Sequence, residues 1–330
     1  MAFRRGRKAA GLLAGLALVA GVAACGGGSS DSGSGNGNKI TIATVAADSG
    51  AQGFLAKEKN FYSAHGLDVT VQIVAGVPEL AAAVQSGKAQ FALTSPTSVA
   101  SASASGIPFR VVAAGVKYTK AKPGVWLMVA DRAKDVKGVK DLAGKSVAVN
   151  ALNTLPHLST LAALDDAGVD VKKVSFVTLN FPAIGQALES GQVPAGAVVS
   201  PFVDQQEAGK IAHRLVSPYD SVNGGKDFLN TVWFGKEDYI AKHAAVAEKF
   251  RAALRDTNKW ANDPANAQER KKILQKYASL PDAAIASLEL SPYGDEVTPE
   301  LLQPLLDLMY RFKALKAPMK AETIIGKGTN

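Results

Sequence analysis

The sequence predicts an α/β fold of two similar lobes followed by a helical C-terminal part, and three observations carry that prediction. Short apolar strands alternate with helices along residues 39–235. A set of turn residues recurs at offsets of 102–105 residues. Beyond residue 236 the pattern is helical alone.

In the first copy, 39–44 (KITIAT) reads as a strand and 53–64 as a helix. Gly66 stands where a helix-terminating residue belongs. Residues 67–74 then alternate, with Leu67, Val69, Val71 and Ile73 on one face. Pro78 suits the first turn of a helix that ends at Ser86-Gly87. Residues 91–94 form a strand, and Ser95-Pro96 opens another helix. The second copy repeats this order. A strand at 145–150 (KSVAVN) precedes a helix over 154–167, and Gly168 answers Gly66. Pro182 answers Pro78, Gly191 answers Gly87, and Ser200-Pro201 answers Ser95-Pro96. One matching glycine or proline is ordinary capping chemistry; four in one order imply duplicated architecture. Two apolar stretches, 125–130 (VWLMVA) and 231–235 (TVWFG), are buried strands by composition, and we expect them to be the two crossings between lobes. In the C-terminal part, residues 244–260 place Val246, Phe250, Ala253, Leu254, Thr257 and Trp260 near one face. With a second amphipathic segment at 301–312, they are expected to pack on lobe one.

The chain has 330 residues, a length that suits about two domains. Its formal charge is +8, but Arg4, Arg5, Arg7 and Lys8 lie in one short segment, leaving +4 elsewhere. That balance argues for no nucleic-acid partner. Residues 1–8 are basic and 9–24 are apolar and uncharged, shorter than the roughly 20 residues of a spanning helix. Residues 1–24 are therefore expected to be an export signal; the Arg4-Arg5 pair hints at twin-arginine export. The run ends in Val22-Ala23-Ala24-Cys25, similar to the lipobox of bacterial lipoproteins, and Cys25 is the chain's single cysteine. We expect its lipidation. Residues 26–38 contain no apolar side chain and read as a flexible leash. The expected organisation is a signal peptide at 1–24 and a lipidated Cys25 with linker at 25–38. Lobe one then comprises 39–127 and 234–330, and lobe two 128–233.

Signatures of catalysis are missing. Ala143-Gly144-Lys145-Ser146 ends like a phosphate-binding loop, but position 139 is valine and the segment precedes a strand rather than a helix. There is no G-x-S-x-G, no serine with lysine three residues on, and no HExxH. No cofactor and no metal site is expected.

Several stretches resemble the nitrate/sulfonate/thiamine-precursor family of ABC-transporter substrate-binding proteins. They are 53–62 (GFLAKEKNFY) with Gly66-Leu67-Asp68-Val69, then 83–93, 139–150, and 187–192 before 198–202. The resemblance implies a type II periplasmic-binding-protein fold: two α/β lobes joined by two crossing strands, with the helical part on lobe one. It further implies a non-enzymatic monomer, exported and tethered to the outer face of the bacterial cytoplasmic membrane and serving a permease and an ATPase. Many members carry an acid before the Pro-Phe of lobe two and an aromatic three residues earlier. Here those positions are Ser200 and Ala197. Thiamine-precursor (pyrimidine) binding or synthesis, and a sensory module, are the alternatives the resemblance leaves open.

Ligands of open α/β sheets sit beyond the carboxyl ends of the strands. That rule nominates Ser49, Gln52, Gly76, Val77, Ser95, Thr97, Ser98, Asn150, Asn153, Thr154, His157, Phe181, Ser200 and Phe202. Each hydroxyl or amide is either a ligand contact or the cap of its own helix. Phe181 and Phe202 either wall a ligand or fill core. The loops hold no lysine or arginine, so an anionic head group would rest on helix N-termini, with His157 as the one further source of positive charge.

Overall fold

The computed structural model describes residues 38–279 and 282–329. The expected export signal, Cys25 and nearly all of the expected linker lie outside the described residues. In chain order the first segment holds strand β1 (Lys39–Val45), helices α1 (Ala51–Glu58) and α2 (Phe61–Ala64), and β2 (Asp68–Val74). Then come α3 (Val77–Gln85), β3 (Phe91–Thr94), α4 (Pro96–Ala104), β4 (Phe109–Ala114) and the short β5 (Lys117–Tyr118). The second segment holds β6 (Val125–Ala130), β7 (Ser146–Val149), α5 (Leu155–Asp166), β8 (Ser175–Thr178) and α6 (Phe181–Ser190). It continues with β9 (Ala195–Val199), α7 (Phe202–Ala208), β10 (Ala212–Val216) and the short β11 (Phe228–Leu229). Last come β12 (Val232–Lys236), α8 (Glu237–Lys242), α9 (Ala244–Asn262), α10 (Ala267–Ala278), α11 (Asp282–Ser287) and α12 (Pro299–Arg311).

Two five-stranded sheets share one plan. Their orders are β2-β1-β3-β12-β4 and, read from the matching edge, β8-β7-β9-β6-β10. In each, the first three strands are parallel. The fourth runs antiparallel to its neighbours and carries a tryptophan: Trp233 on β12, Trp126 on β6. These stretches are therefore sheet members, the first strands laid down after each crossing. The crossings themselves are the antiparallel ribbon of β5 with β11.

The repeated turn chemistry has a common backbone cause. Gly66, Gly87, Gly168 and Gly191 all have φ between 69° and 79°, the left-handed region where a Cβ is disfavoured. Pro78 and Pro182 both sit in the first turn of their helices, α3 and α6. The copies diverge at two places. The helix expected over 53–64 is broken into α1 and α2, because Asn60 takes a left-handed conformation (φ 61°). Pro201 precedes α7 as its N-cap, whereas Pro96 is the first residue of α4.

Burial explains the assembly. In lobe one, Ile40, Ile42, Phe91, Leu93 and Trp233 of the sheet bury against Phe250, Ala253 and Leu254 of α9. Trp260 lies in a neighbouring cluster with Phe54 and Leu274. The second amphipathic segment does more than cover lobe one. Leu302, Leu305 and Met309 of α12 share one apolar cluster with Val99 of α4 and with Leu155, Leu158 and Ala162 of α5.

Candidate functional site

The carboxyl ends of both sets of parallel strands open on one cavity of 580 Å³. Sheet one contributes Val45, Val74, Leu93 and Thr94; sheet two contributes Thr178 and Val199, with Asn150 just beyond β7. The walls are mainly apolar: Val77, Leu80, Leu152, Leu179, Phe181 and Phe202 are among them. Phe181 and Phe202 lie nearly parallel, with ring centroids 6.1 Å apart.

Of the residues nominated from sequence, Ser49, Gly76, Val77, Ser95, Asn150, Thr154, Phe181, Ser200 and Phe202 line this cavity. Five do not. Gln52 is fully buried with its amide saturated: Nε2 donates to Asn258 Oδ1 and Ala114 O, and Oε1 accepts from Trp233 Nε1. Thr97 is buried with its hydroxyl 2.7 Å from Ser95 Oγ, and Ser98 Oγ lies 3.0 Å from the same atom. Asn153 is exposed in a left-handed turn, and its N–H donates to His157 Nδ1 at 3.1 Å. His157 is buried edge-on against Phe176, and burial pushes its pKa down to about 4. A neutral imidazole supplies no positive field, so that part of the expectation is corrected.

The helix N-termini are unequal. Asn180 caps α6 by accepting from the Ala183 N–H at 3.0 Å. Glu79, third residue of α3, sets a carboxylate at that helix's positive end and also lines the cavity. By contrast α4 and α5 have no side-chain cap. Ser95 Oγ is engaged with Thr97 and Ser98, and Thr154 Oγ1 donates toward Asn150 Oδ1 and Ala151 O. Ser95 and Thr154 both line the cavity, so the N-termini of α4 and α5, one from each lobe, open on it without a side-chain cap, as does that of α3 at Gly76 and Val77. No lysine or arginine is among the lining residues.

Sequence reasoning missed the part of the lining that comes from outside the strand-end loops. Tyr219, Asn230, Thr231 and Ser291 reach the cavity from distant segments, and Gly124 from the edge of β6. Asp48 lies in a loop the strand-end rule reaches, but its partner had no local signal. It pairs with Arg270 at 3.0 Å; the two are 222 residues apart and almost wholly buried. Asp48 Oδ2 also accepts from the Ser291 N–H at 2.8 Å. Thr94 Oγ1 is buried and has no hydrogen-bond partner within the protein. Among the described residues, no group of three or more His, Cys, Asp or Glu is placed to hold a metal ion, and no helix is long and apolar enough to cross a membrane.

Two duplicated sheets facing one cavity define a periplasmic-binding-protein fold. The chain belongs to the NMT1/THI5 like family, whose profile matches residues 50–267. It is 28% identical over 164 residues to the taurine-binding periplasmic protein of Escherichia coli (strain K12). That match covers 47% of this chain and 48% of the relative, so the chain spans about half the length of the curated relative it matches. The fold is similar to the alkanesulfonate-binding protein of Xanthomonas axonopodis pv. citri bound to MOPS (TM-score 0.73, 17% identity, 87% of this chain and 98% of that one). It is also similar to the periplasmic nitrate-binding protein of Synechocystis PCC 6803 (TM-score 0.74, 16% identity, 88% and 86%).

Proposed function

We propose that the protein is the solute-binding component of an ABC importer, without catalytic activity of its own. It captures a small organic solute between the lobes by hinged closure and delivers it to a permease. The cavity walled from both sheets carries this reading, because a solute touching both lobes stabilises the closed form by its differential contact. A volume of 580 Å³ lies in the range of organic ligands and exceeds what nitrate alone would fill. The apolar walls suit an organic body, and the uncapped ends of α4 and α5 suit an acceptor-rich head such as a sulfonate. The taurine- and alkanesulfonate-binding relatives support that choice. The nearly parallel Phe181–Phe202 pair and the lack of a basic lining residue favour a second reading, a flat neutral ring such as a pyrimidine.

Mass spectrometry of small molecules that co-purify with the exported protein tests both readings. An organic sulfonate supports the first, a heteroaromatic base the second, and neither together with no response to a screen of both classes removes the proposal. With the identified solute, Ser95→Ala and Asn150→Ala are each expected to weaken binding about tenfold, as for hydrogen bonds to a charged group. Thr97→Ala, which lies outside the cavity, should leave affinity unchanged in calorimetry. Solution scattering should show a smaller radius of gyration at saturation.

Tethering belongs to the same proposal. Cys25→Ala is expected to move the protein from the membrane to the soluble fraction; a variant that remains in membranes removes the lipid anchor from this account.

A further inference from the structure

A ring of polar contacts runs through both lobes and returns to its start. At the cavity, the Asp48 N–H donates to Ser200 O at 3.1 Å, joining lobe one to lobe two. One helical turn beyond Ser200, the fully buried Asp204 accepts at Oδ1 from Arg214 Nη2, 3.3 Å away. Arg214 is held over the face of Trp126 at 5.0 Å and faces Glu207 at 3.1 Å. Its Nη1 reaches back across to Glu289 of lobe one at 3.4 Å. Two residues along, the Ser291 N–H donates to Asp48, where the ring began. Beside it, α11 packs against α7, so the segment carrying Glu289 lies along lobe two. Asp48, Ser200 and Ser291 all line the cavity; Arg214 and Glu289 do not.

From this ring we infer that Arg214 and Glu289 form an interlobe strap, a positioning pair that sets how readily the cleft opens without touching the solute. The inference rests on the hinged closure proposed above. Arg214 is fixed on three sides within lobe two, so breaking its contact with Glu289 removes one tie between the lobes rather than relocating the guanidinium. Glu289 is half-exposed, so the strap is of the kind that salt weakens.

Solution scattering of the unliganded full chain tests this without a known solute. The radius of gyration should rise for the native protein between 50 mM and 1 M sodium chloride. Glu289→Gln should be expanded already at low salt and lose the share of the salt response that its pair with Arg214 supplies, the remainder belonging to Arg311 with Asp165 and Asp166, while Glu289→Asp restores part of that share. Arg214→Gln combined with Glu289→Gln should expand the protein no further than Glu289→Gln alone. Glu289→Gln is the decisive variant, since its side chain is exposed and its loss leaves Asp204 paired. A native salt profile in that variant overturns the strap. So does an additive expansion in the double variant. The solute proposal stands apart from these outcomes, because it fails only if no solute binds. Once the solute is known, Glu289→Gln should weaken its affinity roughly threefold through a changed closed population.

Discussion

Arg270→Met is expected to lower the unfolding free energy by about 3–5 kcal/mol, the usual consequence of removing one partner from a buried ion pair. The guanidinium is 2% exposed and donates to Asp48 Oδ1 at 3.0 Å and to Ser291 O at 2.7 Å. It also lies over the Tyr293 ring at 4.5 Å. Methionine fills much of the volume but leaves the Asp48 carboxylate, 1% exposed, with only the Ser291 N–H. Asp48→Asn combined with Arg270→Met should recover a large part of the loss, because no uncompensated charge then remains. Urea unfolding of the two variants decides the matter. A loss below about 1 kcal/mol in Arg270→Met would show that the pair is not what holds α10 to the cavity floor.

Acid should act on this protein through two groups that oppose each other. Burial pushes His157 down to about 4 from an ordinary 6.5. The unfolded chain takes up its proton first, so stability is full above pH 6.5 and falls as pH drops toward 4, by about 3 kcal/mol. Asp204 has the reverse sign. Burial pushes it up to about 6, against the pull of the Ser200 hydroxyl and Arg214. Its contribution is full below the ordinary value near 3.8 and is lost as pH rises through 6, again about 3 kcal/mol. Between pH 4 and 6 the two slopes nearly cancel. His157→Gln should therefore gain stability on acidification relative to the native protein, and Asp204→Asn should lose it. Urea midpoints at pH 7 and pH 4.5 give the two differences. If both variants track the native pH profile, these buried groups do not govern the acid response.

Local chemistry was legible in the sequence wherever a residue acts on its own backbone. Gly66, Gly87, Gly168 and Gly191 announce left-handed turns, and Pro78 and Pro182 announce helix starts. Together they made the duplication readable before any contact was known. The strand-end rule led to Ser95, Asn150 and Ser200 for the same reason, since it needs only element order. It could not choose among neighbours in a helical turn, where each residue rotates by about 100°. Thr97 and His157 thus fall in the right loops with side chains directed into the protein. Asp48 with Arg270 was invisible because a buried pair 222 residues apart leaves no periodic trace. The position of α12 was half legible: its amphipathic stripe was plain, but not that α5 of the other lobe would share its apolar face.

Strand β12 lies between β3 and β4, the last of which precedes it by more than a hundred residues. On a chain made from its N-terminus, β4 therefore emerges with no neighbour to pair in its sheet. The strands of the second sheet, β6 to β10, are complete by Val216, before β12 is made. Assembly is thus out of sequence: the lobe begun first is finished last. Until Val232–Lys236 arrives, two strand edges of lobe one stay open, and such edges are templates for wrong pairing. Contacts this distant also form slowly. The duplicated plan inserts one sheet's chain between the strands of the other, so the core of lobe one stays unsealed until the second sheet has been made.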